Sequence, residues 1–288
     1  MTVGDGRDVR FRPAGGVKGS PGPGRFCEHR GVEPVLVARG LVKEYRRTRA
    51  VDGIDITVGA GERVALLGPN GAGKTTTLLM ILGAISPDAG EVEVCGVSQR
   101  RNRSVAAEHI GFAAGYLPLA GDLRVHEYLT MYGRIYGIPD PAPAIAAGLE
   151  RFRIEHLADA MGPQLSSGQR TLVGIVRACL HRPRLLVLDE PTASLDPDVA
   201  SRVRDGILDL CASDGTALLV TSHDMREVER LSERVLFLSG GRIVADGRPD
   251  EIVARFDRED LEGVFLHLAE DRLPEREPPG DQQTGFVL

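Results

Sequence analysis

The chain has 288 residues, 42% of them hydrophobic, which suits one large α/β domain or two modest ones with a sizeable core. A formal net charge of -6 leaves no basic footprint, so broad nucleic-acid binding is not expected. No apolar run approaches the ~18 residues of a bilayer span, and the opening MTVGDGRDVRFRPAGG lacks the apolar core of a secretion signal. These features predict a soluble chain in the cytoplasm, with any membrane-spanning part supplied by another polypeptide.

In chain order, residues 1–33 are rich in Gly, Pro and Arg without a hydrophobic period and read as a flexible tail. PVLVARG and GIDITV read as strands of a small antiparallel unit. RVALLG is a short apolar strand ending on glycine, KTTTLLMILGAI has apolar positions at helical spacing, and EVEVCG returns as a strand. From about Ile110 to Leu180 the pattern turns helical with few strand signals, in VHEYLTMYGRIYG, AIAAGLERFRI and GQRTLVGIVRACL. RLLVLD is wholly apolar, as in a parallel sheet covered on both faces. A helix (PDVASRVRDGILDLCAS), a strand (TALLVTS), a helix (DMREVERLSE) and a strand (RVLFLSG) follow, and residues 271–288 read as a second tail. This alternation predicts a doubly wound parallel sheet with an inserted helical subdomain.

Four cysteines, Cys27, Cys95, Cys179 and Cys211, form no Cys-x-x-Cys pair and lie near no histidine cluster. Zinc sites and disulfide frameworks are therefore not expected. Only three lysines occur, Lys18, Lys43 and Lys74, among many arginines.

Lys74 lies in GPNGAGKTT, which fits G-x-x-x-x-G-K-[ST] after a strand and at the start of a helix. Gly68, Gly71 and Gly73 let the backbone turn tightly and present N–H groups to phosphate, with Pro69, Asn70 and Ala72 completing the loop. Lys74 adds positive charge at the β/γ-phosphates, Thr75 offers a hydroxyl to Mg²⁺, and Thr76 continues the helix. In RLLVLDEP an apolar strand delivers Asp189, suited to Mg²⁺, and then Glu190, suited to polarising a water. His223 ends another strand and suits a hydrogen bond to a γ-phosphate.

With these elements in order, the sequence from about Val35 to Ala269 resembles the nucleotide-binding subunits of ABC transporters. GPNGAGKTT resembles their Walker A loop, and LLVLDE resembles Walker B with the catalytic glutamate at Glu190. Ser194, Leu195 and Asp196 look like the D-loop, and His223 matches the switch histidine. Tyr45, alone readable as a plain strand aromatic, matches the residue that stacks on adenine, a contact of ~1 kcal/mol. Leu165, Ser166, Ser167, Gly168 and Gln169 resemble the signature LSGGQ, with Ser167 where glycine is usual. The cost of that serine depends on whether the position needs φ > 0.

The resemblance implies a P-loop NTPase fold with a parallel sheet core, a small antiparallel β subdomain and an inserted helical subdomain, the ATPase domain covering 34–270 and the helical part about 116–182. It implies ATP and Mg²⁺ as cofactors. It further implies a homodimer or pseudo-homodimer in which the signature of one chain closes on ATP held by the other. A separate transmembrane permease would hold the assembly at the cytoplasmic face of the cell membrane. The C-terminal SGGRIVADGRPDEI and DLEGVFLHLA look like single-cassette ATPases of ABC-2 type exporters.

One departure stands out. IGFAAGYLPLAGDL lacks the glutamine usual in this loop, with Gly115 or Leu119 at that position depending on alignment. A water or backbone group replacing it, slowed hydrolysis, and Gln99 folding back are the open readings. Tyr116, Leu117 and Leu119 would contribute to a docking groove for a coupling helix. A soluble ABC ATPase and a regulatory subunit with impaired hydrolysis are the alternatives to an exporter subunit.

Overall fold

The computed structural model describes residues 33–46, 48–115, 122–193 and 195–270. The readings made for the two tails, for Lys18, Cys27 and Ser194, and for the docking residues Tyr116, Leu117 and Leu119 fall outside them. The described chain runs through the hairpin β1 (Pro34–Tyr45) and β2 (Thr48–Gly59), then β3 (Arg63–Leu67) and α1 (Lys74–Ile81). Next come β4 (Ala89–Val94), β5 (Val97–Ser98), α2 (Arg103–Ala107) and β6 (Ile110–Ala114). Helices α3 (Val125–Ile135), α4 (Ala142–Arg151) and α5 (Ser167–Cys179) follow. The last part is β7 (Leu185–Asp189), α6 (Pro197–Asp214), β8 (Ala217–Thr221), α7 (Met225–Leu231), β9 (Arg234–Ser239), β10 (Arg242–Gly247), α8 (Pro249–Phe256) and α9 (Leu261–Glu270).

The strands make two sheets. One is antiparallel, ordered β2-β1-β4-β5. The other is ordered β10-β9-β3-β8-β7-β6, parallel from β9 to β6 with β10 antiparallel at its edge. Alternation along the parallel strands feeds two cores, one per face. Val64 and Leu66 of β3, with Val187 and Leu219, pack towards Leu78, Met80 and Ile81 of α1 and the antiparallel sheet. Ala65 and Leu67, with Leu186, Leu188, Leu218 and Val220, pack towards helices α3 to α7 and α9. Every residue of β7 and β8 is buried, as expected of strands covered on both faces.

The stretch from Ile110 reads as helical from sequence, yet Ile110–Ala114 is a strand beside β7. Five small or apolar residues carry too little period to separate a buried strand from a helix. Gly111 allows the close approach: a Cβ there would lie 2.8 Å from Pro183 Cγ and would also meet the Ala178 carbonyl. Helix ends follow local chemistry. α6 starts on Pro197 and stops at Gly215, whose φ of 64° ends the helix without a Cβ penalty.

Two helical glycines make opposite predictions. Replacing glycine by alanine inside a helix ordinarily gains up to ~1 kcal/mol. Gly174 in α5 has nothing within 4 Å of an added Cβ, so Gly174→Ala should raise the melting temperature by a few degrees. At Gly206 in α6 the Cβ would enter the ring of buried Phe152, 3.1 Å from Cζ and closer at the ring edge. Gly206→Ala should therefore cost ~1–3 kcal/mol despite the better helix propensity. Thermal denaturation of both variants, read as the difference between them, checks this; equal shifts would refute it.

Candidate nucleotide site

Because β3, β8 and β7 are parallel neighbours, their C-terminal ends lie together at one edge of the sheet. β3 ends at Leu67 and is followed by Gly68, where φ is 149° and a Cβ would collide with the Leu238 carbonyl. Gly71 and Gly73 also have positive φ, 77° and 105°. A Cβ on Gly73 would meet the carbonyl of Ala50 in β2, so the loop is pressed against the β1–β2 hairpin. Ala72 donates its N–H to Pro69 O at 3.1 Å, and Gly241 donates to Ala72 O at 3.1 Å. Thr77 Oγ1 bonds Gly73 O at 2.9 Å and anchors the first turn of α1. No acidic residue occupies that turn, which leaves the helix start suited to an anion.

Lys74 is half-buried, and its Nζ donates to Gly68 O at 2.6 Å and Pro69 O at 3.3 Å. Burial pushes its ammonium below the usual lysine range, and the Glu190 and Asp189 carboxylates offset part of that. Asp189 is buried at the end of β7 and its Oδ1 accepts from Thr221 Oγ1 at 2.6 Å. Glu190 adopts φ of 54°, rare for a non-glycine residue. Its N–H donates to Thr221 O and to Thr221 Oγ1, both at 3.1 Å, which holds the turn. His223 stands one loop beyond β8, and Nδ1 lies 2.6 Å from Glu190 Oε2. With Nδ1 protonated, the ring donates to the carboxylate and turns Nε2 elsewhere. Asp224 caps α7, its Oδ1 accepting from Arg226 N at 3.0 Å and Glu227 N at 3.3 Å.

The structure thus brings Lys74, Asp189, Glu190 and His223 to one place, and adds Thr221, which sequence reading passed over. A threonine two residues before His223 looks like ordinary strand composition. Only the pairing of β7 and β8, which sets Asp189 opposite Thr221, makes it a bridge. The oxygen donors Thr75 and Asp189 suit a hard cation such as Mg²⁺ that completes its shell with phosphate and water. Among the described residues no group of three His, Cys, Asp or Glu forms a metal centre by itself.

Leu165 is buried and Ser166 caps α5: its Oγ accepts from Gln169 N at 3.2 Å, while Gln169 Oε1 accepts from Ser166 N at 2.9 Å. This is a reciprocal capping box. Ser167 is the first helical residue and has no positive φ, so serine replaces glycine there without backbone strain. Gly168 is different, since a Cβ would lie 2.9 Å from Val199 Cγ1 and 3.4 Å from Leu195 Cδ2. These contacts seat the stretch on the start of α6, which follows Leu195 and Asp196. Tyr45 ends β1 at 46% exposure, with Lys43 Nζ 5.8 Å from its ring centroid.

Gly115 follows β6 and donates its N–H to Asp189 O at 3.3 Å; a Cβ there would stand 3.1 Å from Glu190 O. Gln99 does not fold back to this place. It is buried beneath the far end of α1, where Nε2 donates to Ile81 O, so that reading of the missing glutamine is corrected.

A glycine-rich phosphate loop between a parallel strand and a helix, flanked by Asp189, Glu190 and His223, places the chain in the class of phosphate-loop nucleoside triphosphatases. The sequence model of the ABC transporter family matches residues 51–193. A second model, described as an AAA domain of a putative AbiEii toxin, matches residues 162–229. The Nod factor export ATP-binding protein I of Ralstonia nicotianae is 38% identical over 235 residues, 81% of this chain and 71% of that protein. Its namesake in Rhizobium meliloti is 36% identical over 227 residues, 77% of this chain and 68% of that one. The solved ATP-binding subunit of an ABC transporter superposes with TM-score 0.75 at 27% identity, over 82% of this chain and 99% of its own. An ABC-transporter cassette in its ADP conformation gives 0.72 at 25% identity, over 83% and 99%. The chain belongs to the ABC transporter family, as one of its ATP-binding cassette ATPases.

Thr221 supports both acidic residues, so Thr221→Val should lower ATP turnover about tenfold, equivalent to ~1.4 kcal/mol of barrier. The same change should reduce stability by ~1 kcal/mol, because the buried hydrogen bond from Thr221 Oγ1 to Asp189 is lost. Thr221→Ser keeps the hydroxyl and should retain most of the activity. Phosphate release and thermal denaturation on the three proteins decide it; full turnover in Thr221→Val would exclude the bridging role.

Proposed function

We propose that the chain is the ATP-hydrolysing subunit of an exporter whose membrane-spanning permease is a separate polypeptide. The observation that carries the reading is the convergence of Lys74, Asp189, Glu190 and His223 at the ends of parallel strands. The export direction is supported by the names of the relatives. No helix among the described residues is long and apolar enough to cross a membrane, which fits a subunit bound peripherally through a permease at the cytoplasmic face.

In this reading residues 34–270 work as one ATPase domain, with about 116–182 as its helical subdomain. The loop Gly68–Thr76 wraps the phosphates, and Lys74 exchanges its bonds to Gly68 and Pro69 carbonyls for β/γ-phosphate oxygens. Thr75 and Asp189 hold Mg²⁺, which neutralises phosphate charge when bound. Tyr45 offers its exposed ring to adenine. Glu190 polarises the attacking water, and His223 leaves Glu190 for the γ-phosphate when that charge arrives. The exposed residues Ser166 and Ser167, with the start of α5 behind them, face the nucleotide on a second subunit, so two chains close over two ATP molecules. Leu195 and Asp196 lie between the halves. Opening after hydrolysis drives the permease. The contact between Glu190 and His223 weighs against a purely regulatory, non-hydrolysing subunit.

Glu190→Gln should reduce turnover by ~10²-fold or more while leaving ATP binding intact. With Mg-ATP, that variant should elute as a dimer in size-exclusion chromatography and return to monomer on nucleotide removal. Unchanged turnover would remove Glu190 from the chemistry. A persistent monomer under saturating Mg-ATP would instead defeat the sandwich.

A further inference from the structure

Helices α6 and α7 each begin beside a functional segment, α6 after Leu195 and Asp196 and α7 after His223. One buried ion pair joins them. Arg204 Nη1 on α6 lies 2.5 Å from Glu227 Oε1 on α7, and the two side chains are only 14% and 10% exposed. Arg204 Nη2 donates to Ser201 Oγ at 3.1 Å, which fixes the guanidinium plane. Arg230, itself 60% exposed, stands 3.7 Å from the same Oε1 and contributes little through solvent. Glu227 Oε2 is buried without a hydrogen-bond partner, so the carboxylate depends on Arg204 for its compensation.

Such a pair is a poor stabiliser compared with apolar packing of the same volume. What it supplies is direction, because both partners must keep one geometry. Glu227 belongs to the first turn of α7, whose N–H is capped by Asp224, and Asp224 N is in turn held by Ser222 Oγ at 3.1 Å. His223 lies between Ser222 and Asp224. Its ring is 71% exposed and has little packing of its own, yet it meets Glu190 at 2.6 Å. The turn that carries it must therefore be placed from below.

We propose that Arg204 and Glu227 are positioning residues for ATP hydrolysis: their ion pair locks the first turn of α7 to α6 and so aims His223 at Glu190. The proposal rests on the reading of Glu190 and His223 as the hydrolytic pair. Since Gly168 rests on Leu195 and Val199 at the start of α6, the same helix also seats the signature stretch. The pair thereby links the half-site offered to a partner's nucleotide with the half-site serving the chain's own.

The test measures kcat, KM for ATP, binding of a fluorescent ATP analogue and thermal denaturation on the full chain. The proteins are wild type, Arg204→Met, Glu227→Gln, His223→Ala and Arg204→Met/His223→Ala. Arg204→Met should lower kcat at least about tenfold with KM and analogue binding within about twofold. With His223 already alanine, the same change should lower kcat by less than about twofold further, since the residue it positions is gone. The proposal is overturned if Arg204→Met binds the analogue and keeps its kcat, or if its loss multiplies in full with that of His223→Ala. Should Arg204→Met fail to fold, Glu227→Gln, of the same shape and without the charge, takes its place in the comparison and in a double variant with His223→Ala. Undiminished turnover in His223→Ala would sink the assignment of the hydrolytic pair and this proposal with it, an outcome distinct from a loss in Arg204→Met that ignores His223.

Discussion

The site depends on the parallel register of β7 and β8, in which Asp189 lies opposite Thr221. Side chains alternate along a strand, so a slip of one residue would turn Asp189 or Thr221 into the wrong face. In the observed register a hydroxyl meets a carboxylate at 2.6 Å and the next residue's N–H at 3.1 Å. The register is itself imposed by burial. All ten residues of the two strands are buried, and each face packs its own core. Any slip would exchange the residues that fill the two cores, spoil the packing of both, and part Asp189 from Thr221. Hydrophobic burial, at ~25 cal/mol per Å², thus holds a polar geometry that its own hydrogen bonds could not hold alone.

A second consequence concerns Glu190. Its left-handed conformation costs of order 1–3 kcal/mol for a residue with a Cβ. Two bonds to Thr221 and the Ala193 N–H on its carbonyl at 3.2 Å offset that cost and prevent relaxation. The carboxylate is thereby turned towards His223, with Lys74 near enough for both acidic residues to raise its affinity for a proton.

Much of this was legible in the sequence because the relevant signals are local. The phosphate loop announces itself by glycine spacing between a strand and a helix, and RLLVLD by an unbroken apolar run. Ser166 and Gln169 at three-residue spacing encode their capping box without help from the fold. What escaped notice is long-range. Thr221 matters through a strand 32 residues away, and Arg204 through a helix 23 residues away. An arginine in the middle of an amphipathic helix looks like solvated surface until its partner is placed. Ile110–Ala114 was hidden for a different reason, being too short to show a period. The left-handed turn at Glu190 has no compositional sign at all.

The two departures from the family pattern differ in physical weight. Ser167 lies in an ordinary helical conformation, so its side chain adds little beyond a hydroxyl, while the adjoining Gly168 carries the steric requirement against Val199. Gly115, one of the two positions that alignment offers for the missing glutamine, is more consequential. Its N–H bonds the Asp189 carbonyl, and a Cβ would stand 3.1 Å from the Glu190 carbonyl, tighter than ordinary van der Waals contact. A larger residue would press on the one backbone carbonyl that the strained Glu190 turn exposes on that side. Gln99 cannot substitute from elsewhere, because it is buried against the C-terminal end of α1. Within this backbone, then, a glycine at 115 and the left-handed Glu190 are mutually compatible, and any side chain at 115 would require the Glu190 carbonyl to yield by a few tenths of an ångström.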